Sequence, residues 1–140
     1  KDELLRLVDE DPRAFDRVMA ALGMPKSTDA EKSARSAALA AANLGALEVP
    51  WQVMQTAFGA FELIRAMAEQ GNPASASDAG VGALCTRAAI RGAWLNVRTN
   101  ASGVKDKAAI DQIMKDGAQM DADAARLEAE ILSIVERKFT

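Results

Sequence analysis

The stretch GNPASASDAGVGALCTRAAIRGAWLNVRTN, residues 71–100, predicts a turn followed by one long helix. Its first residues are rich in Gly, Asn, Pro and Ser, and an alanine-rich run follows. At about 100° per residue, Asp78, Asn96 and Asn100 fall within roughly 40° of one another around the helix axis. Cys85 and Ala89 lie on the same side. A carboxylate and two amides on the small-residue side of a helix are costly to bury without partners, so this stripe is a first candidate site.

Each of these polar residues also has a purely structural interpretation. Ser77 or Asp78 could cap the start of the helix. Asn96 and Asn100 could be satisfied by backbone carbonyls near its end. Three arginines on the opposite side are expected to be surface or interface charges: Arg87, Arg91 and Arg98. A cap alone, however, does not require matching amides more than four turns away on the same stripe.

The rest of the chain is also predicted to be helical. Thirty alanines, with Leu, Glu, Lys, Arg and Met, favour helix, and no segment alternates with the period of a strand. We predict an all-α protein with a single domain over residues 1–140, an orthogonal or antiparallel bundle of about five helices. The predicted helices cover residues 2–22, 28–48, 50–70, 77–100 and 106–138.

Several residues predict where these helices begin and end. Thr28 and Glu31 have the spacing of a capping box. Pro12 either kinks the first helix or restarts it, with Asp11 as the N-cap. Pro50 is expected to break or bend the chain between the second and third helices. Gly71 fits the left-handed cap that commonly ends a helix.

Composition excludes several classes of site. The chain has no histidine, no tyrosine and one cysteine, which removes His-dependent nucleophiles and zinc or iron–sulfur sites. Acid–base chemistry must therefore come from Asp, Glu, Lys or Arg. A net charge of −3 argues against nucleic-acid binding, and no apolar run is long enough to span a membrane. The lone cysteine fits a reducing compartment, so we expect a cytoplasmic protein. We also expect no metal and no membrane partner.

A second acidic cluster precedes an aromatic residue in the first helix. Asp9, Glu10 and Asp11 are followed by Phe15, one turn beyond Asp11. The structural interpretation is a solvated helix face or a cap before Pro12. The functional interpretation is a carboxylate beside an aromatic platform.

The abundance of small residues predicts self-association. Alanine and glycine faces let helices approach closely, but they bury less apolar area per residue than leucine faces. We expect a homodimer with helices at the interface.

Taken together, the motifs resemble the cyclodeaminase/cyclohydrolase family of folate enzymes, which includes the cyclodeaminase domain of formiminotransferase-cyclodeaminase and the free-standing methenyltetrahydrofolate cyclohydrolases. The resemblance covers essentially the whole chain. It is carried by DEDPRAFD (9–16), PK to EK (25–32), VP (49–50), EQGN (69–72), SDAGV (77–81) and RGAWLNVRTN (91–100). Because the family domain normally opens with a further Gly-rich turn and an Ala-rich helix, we expect this chain to lack that segment.

The resemblance implies a helical homodimer that binds a tetrahydrofolate derivative as its substrate, near the subunit interface. In the cyclodeaminase reaction, N10 attacks the formimidoyl carbon on N5 and ammonia leaves, giving 5,10-methenyltetrahydrofolate. In the alternative cyclohydrolase reaction, water adds to the methenyl carbon and the ring opens to 10-formyltetrahydrofolate. Both reactions need a proton moved, which carboxylates can do.

The same resemblance suggests roles for particular residues. Asp78 would be the main acid–base residue and Asp11 the second. The remaining candidates would bind substrate. Phe15 would pack against the ring, and the amides of Asn72, Asn96 and Asn100 would hold the pterin or the bridge. Arg91 would meet the glutamate carboxylates if a second subunit supplies it. A candidate from another class is a non-catalytic helical dimerisation module, which the alanine-rich, low-aromatic composition favours.

Overall fold

A computed structural model describes residues 1–139 and is helical along nearly all of that length. No strand occurs among these residues, so the prediction of an all-α bundle is confirmed. The α-helices are α1 (Asp2–Leu22), α2 (Asp29–Phe58), α3 (Ala60–Gln70), α4 (Ala76–Ala101) and α5 (Lys107–Glu136), with a short 3₁₀ turn at Pro73–Ser75. Only Gly59 separates α2 from α3, so the two are consecutive segments of one interrupted helix.

Side chains at the helix starts satisfy backbone donors that would otherwise lack partners. The Thr28 hydroxyl accepts from the Glu31 amide at 3.2 Å, and the Glu31 carboxylate accepts from the amides of Thr28 and Ser27. These backbone hydrogen bonds hold the pKa of Glu31 below its usual value. The capping box is therefore confirmed, and Asp106 caps α5 in a similar way by accepting from the amides of Ala108 and Ala109.

The predicted break at Pro50 is wrong, because α2 runs through this proline to Phe58. Proline has no amide hydrogen, so it cannot donate to the carbonyl four residues earlier. That carbonyl belongs to Ala46, and it accepts a hydrogen bond of 2.7 Å from Nδ2 of Asn100 instead. A side chain from α4 thus replaces the missing helical hydrogen bond. The helix is interrupted at Gly59 and not at Pro50.

One of the two alternatives at Pro12 is excluded, and the prediction for Gly71 is wrong. α1 is continuous from Asp2 to Leu22, which excludes a restart at Asp11 and Pro12. Gly71 has φ −71° and ψ 174°, an extended conformation and not the left-handed one. Glycine is needed there for space, because a Cβ would overlap the carbonyl group of Met67.

The helices α1 and α4 both pack against α2. Arg35 of α2 donates to the carbonyl of Leu22 at the end of α1, and Asn43 of α2 donates to that of Gly103 beyond α4. Both α1 and α4 are therefore antiparallel to α2 and roughly parallel to each other. Within residues 1–139, α1 packs on α2 alone, whereas α4 contacts α2, α3 and α5. A groove is left between α1 and α4, with α2 as its floor.

The main core lies between α2, α3, α4 and α5, and a smaller one lies under α1. The largest fully buried side chains of the main core are Leu47, Met54, Ile90, Val97 and Ile131. The smaller core consists of Leu7, Ala14 and Val49. In the part of the chain that is described, no helix is long and apolar enough to cross a bilayer.

Candidate functional site

The groove between α1 and α4 contains two adjoining cavities. One, the polar limb, has a volume of about 150 Å³ and is lined by Asp11, Ala14, Phe15, Ala46, Asn96 and Asn100. The other, the apolar limb, has a volume of about 290 Å³ and is lined by Leu4, Leu7, Val8, Asp11, Pro50, Val53, Ala89, Ala93 and Asn96. Asp11 and Asn96 line both limbs, so these two side chains mark the point where the limbs meet.

Side chains of α1 and α4 form the two walls of the groove, and they have the same spacing along each helix. One wall carries Leu4, Val8, Asp11 and Phe15, and the other carries Ala89, Ala93, Asn96 and Asn100. Both sets follow the same 4-3-4 spacing, which keeps side chains on one face of a helix. Because the two helices run roughly parallel, the carboxylate of α1 lies at the level of the first amide of α4, and the phenyl ring lies at the level of the second.

The polar limb offers hydrogen-bond acceptors to a ligand. Asp11 makes no hydrogen bond or ion pair to any residue among 1–139 and is exposed to solvent. Asn100 donates one Nδ2 hydrogen to the Ala46 carbonyl, which fixes the orientation of the amide, and its Oδ1 accepts no hydrogen bond from residues 1–139. Asn96 is exposed and keeps both its donor and its acceptor. The limb therefore suits a ligand edge that carries N–H donors.

Phe15 adds an accessible aromatic surface to the polar limb. Its side chain is 62% exposed although it lies on the face of α1 that borders the groove. Exposure of a large ring at a cavity wall leaves a flat apolar surface on which a planar ligand can pack.

Asp78 is not brought into this groove. It precedes Asn96 by 18 residues on α4, which corresponds to about 27 Å along the axis. Asp78 lines a separate cavity of about 340 Å³ against α3, with Leu63, Ile64 and Met67. It also does not act as a cap: α4 begins at Ala76, and no side-chain cap hydrogen bond forms there.

The other two predicted ligands also lie away from the groove. The Oδ1 of Asn72 accepts from the amide of Ala74 at 3.0 Å and caps the 3₁₀ turn. Arg91 lies toward α5, where its guanidinium forms an ion pair with Asp121. The same carboxylate accepts from Arg87 at 2.7 Å, so it joins two arginines of α4 to α5.

The sequence interpretation missed the residues of the apolar limb. Nothing in the sequence singled out Leu4, Val8 or Ala93, and Pro50 was considered only as a break or bend in the chain. The shared 4-3-4 spacing of the two walls was a signal in the sequence. It becomes informative only once α1 and α4 are known to run alongside each other.

In comparisons with known proteins, the part of the chain that contains this groove matches one family. The family model described as formiminotransferase-cyclodeaminase matches residues 1–119. A methenyltetrahydrofolate cyclohydrolase from Methylorubrum extorquens is 38% identical over 135 residues, which are 96% of this chain and 65% of that protein. Formimidoyltransferase-cyclodeaminases from Gallus gallus and Sus scrofa are each 31% identical, over 98% and 97% of this chain.

The chain is shorter than each of these relatives. It spans just under two thirds of the bacterial protein and about a quarter of each vertebrate protein. The family model nevertheless covers all three helices that build the groove, α1, α2 and α4. By the extent of this match and the identity to its relatives, the chain belongs to the formiminotransferase-cyclodeaminase family.

Proposed function

We propose that the groove between α1 and α4 binds a tetrahydrofolate derivative, and that the protein acts on the N5–C–N10 bridge of this substrate. The observation that carries the proposal is that Asp11 and Asn96 line both the polar and the apolar limb. A carboxylate and an amide lie where two differently lined cavities meet, which suits a ligand with a reactive carbon between two ring systems. The names of the relatives agree with this substrate class.

We propose the cyclohydrolase reaction as the first candidate and the cyclodeaminase reaction as the second. The relative named cyclohydrolase is 38% identical to this chain, compared with 31% for the two named cyclodeaminases. A larger share of its length is also covered. This order reverses the one that the sequence motifs suggested.

In the cyclohydrolase reaction, we assign the proton transfers to Asp11. Its carboxylate takes a proton from the attacking water while the oxygen bonds to the methenyl carbon. The bond from the tetrahedral carbon to N5 then breaks, N5 takes up a proton, and the hydroxyl on that carbon loses its proton to become the formyl carbonyl. Both water protons leave the oxygen and one is taken up by N5, so 10-formyltetrahydrofolate forms with net release of one proton. Asn96 is suited to donate a hydrogen bond to the oxygen on that carbon.

The cyclodeaminase reaction would use the same two residues. N10 attacks the formimidoyl carbon, and the imino nitrogen takes up the N10 proton and one further proton from solvent. The carbon–nitrogen bond to it then breaks, so that ammonia leaves and the methenyl cation remains. A carboxylate at the bridge serves as the carrier of the N10 proton. Assaying both substrates with the same preparation distinguishes the two activities.

An acid–base role for Asp78 is a separate proposal. Its distance of about 27 Å from Asn96 along α4 favours Asp11 for chemistry in the groove of one chain. Participation of Asp78 would require a second site or a second subunit.

We further propose that the protein is a homodimer. Large apolar side chains on α1 that line neither limb of the groove are about half or more exposed: Leu5, Met19 and Leu22. Burying such a stripe between two chains would remove it from water. Sedimentation equilibrium is expected to give twice the mass of the chain, and a monomer at all concentrations tested would contradict the proposal.

The folate proposal is tested by thermal unfolding with 5-formyltetrahydrofolate, a non-reacting probe of the substrate class. A ligand at one hundred times its Kd is expected to stabilise the chain by about 2.7 kcal/mol. The variant Ala89→Trp fills the apolar limb and should abolish this gain. Ala88→Trp is the matched control, since this exposed neighbour lines neither limb. Absence of any stabilisation in the wild type would instead favour the non-catalytic dimerisation module.

A further inference from the structure

We propose that tetrahydrofolate lies in the groove in a single direction, with its pterin in the polar limb and its p-aminobenzoyl ring in the apolar limb. This inference rests on the proposed function and specifies how the ligand is held. It places the one-carbon bridge over Asp11 and Asn96, the two residues that line both limbs.

The first argument is the match between donors and acceptors. The pyrimidinone edge of a pterin presents N3–H and the 2-amino group side by side, and both are donors. At its end away from Asp11, the polar limb presents Oδ1 of Asn100, an acceptor suited to this edge. Asn100 is held with Oδ1 available because its Nδ2 donates to the Ala46 carbonyl at 2.7 Å.

That orientation of Asn100 has its origin in the backbone of α2. Pro50 cannot donate to the Ala46 carbonyl, so the carbonyl takes its hydrogen bond from Asn100. This hydrogen bond fixes the amide with Nδ2 on Ala46, and Oδ1 has no partner among residues 1–139. An amide free to rotate would offer either a donor or an acceptor, and the preference for one ligand edge would be lost.

The second argument is the character of the apolar limb. Apart from the two shared residues, all its lining side chains are aliphatic or proline: Leu4, Leu7, Val8, Pro50, Val53, Ala89 and Ala93. The aromatic ring of the p-aminobenzoyl group has no hydrogen bonds to lose on entering such a cavity. A pterin placed there would leave several ring nitrogens and its carbonyl without partners, which is costly.

The third argument is length. From Leu4 to Phe15 the α1 wall covers 11 residues, or about 16 Å. Two ring systems joined by a short bridge can therefore lie end to end along the wall. The proposed direction leaves the glutamate tail at the Leu4–Ala89 end of the groove, away from Phe15.

The test uses two ligand fragments, 6-methyltetrahydropterin and p-aminobenzoylglutamate, with the full chain and two variants. Phe15→Ala is expected to weaken the pterin fragment about tenfold, because an aromatic pair contributes up to about 1.5 kcal/mol, and to leave the benzoyl fragment unchanged. Ala89→Trp is expected to weaken the benzoyl fragment at least as strongly and to spare the pterin. Phe139→Ala and Ala88→Trp are the matched controls, and Phe139 has the same 62% exposure as Phe15.

The outcomes separate the direction of binding from the function itself. The reverse pattern of losses would overturn the direction while leaving folate binding intact, whereas failure of intact 5-formyltetrahydrofolate to bind would overturn the proposed function. If the fragments bind too weakly to measure, nuclear Overhauser effects to the intact ligand decide. Benzoyl protons should contact the methyl groups of Ala89 and Ala93, and contacts from these protons to Phe15 would overturn the proposal.

Discussion

Replacing Asp11 by asparagine is expected to lower kcat on 5,10-methenyltetrahydrofolate by about 10²–10⁴-fold, the usual contribution of a general acid–base residue. The asparagine keeps the size of the side chain but cannot take up the proton. Because Asp11 is exposed and makes no hydrogen bond or ion pair within residues 1–139, the change should leave the melting temperature nearly unaltered. Loss of methenyl absorbance over time measures the rate, and circular dichroism measures the stability.

Two other substitutions test whether the loss of activity is specific to Asp11. Asp9→Asn removes the same charge from the same helix, and Asp9 lines neither limb, so wild-type turnover is expected. Asp78→Asn tests the carboxylate that the sequence motifs suggested first. If Asp78→Asn lost activity and Asp11→Asn retained it, the chemistry would belong to the cavity beside α3 and not to the groove.

Replacing Gly117 by alanine is expected to destabilise the fold by about 1–3 kcal/mol. A Cβ at this position of α5 would overlap the indole ring of Trp94 on α4, with Cε3 only 2.8 Å away. Trp94 is 6% exposed and lies in the main core, so the ring cannot move without disturbing its neighbours. This cost outweighs the gain of about 1 kcal/mol that alanine brings over glycine inside a helix.

The matched control is Gly92→Ala on α4. A Cβ there has no neighbouring atom within 4 Å, so only the helix propensity changes, and a stabilisation of about 0.5–1 kcal/mol is expected. Urea unfolding of both variants gives the two free energies, provided that the m-values agree. Equal stabilisation of both would contradict the close approach of α4 and α5.

Local sequence patterns were sufficient to predict most of the fold. Alanine content and apolar spacing indicated helices throughout, and the Thr28–Glu31 box marked the start of α2 within a residue. The break at Pro50 could not be predicted correctly from local sequence, because the proline is tolerated only through a hydrogen bond from Asn100, 50 residues later in the chain. The need for glycine at position 71 depends likewise on the closeness of the Met67 carbonyl group and not on a positive φ.

The candidate site was predictable only in part. A helical projection gives the angle of a side chain but not its distance along the axis, so Asp78 and Asn96 were grouped although they lie about five turns apart. Asp11 and Phe15 were singled out on α1, but nothing in the local sequence linked them to Asn96 and Asn100. That link depends on how α1 and α4 both pack against α2, which is a property of the tertiary structure.

Titration of the ¹⁵N-labelled chain with 5-formyltetrahydrofolate, followed by ¹H–¹⁵N correlation spectra, tests the central claim most directly. If the groove between α1 and α4 is the folate site, the largest shifts should fall on Asp11, Phe15, Ala89 and the side-chain amides of Asn96 and Asn100. The amides around Asp78, which line the other cavity, should remain unchanged. Shifts confined to the cavity beside α3, or no shifts at all, would contradict the account.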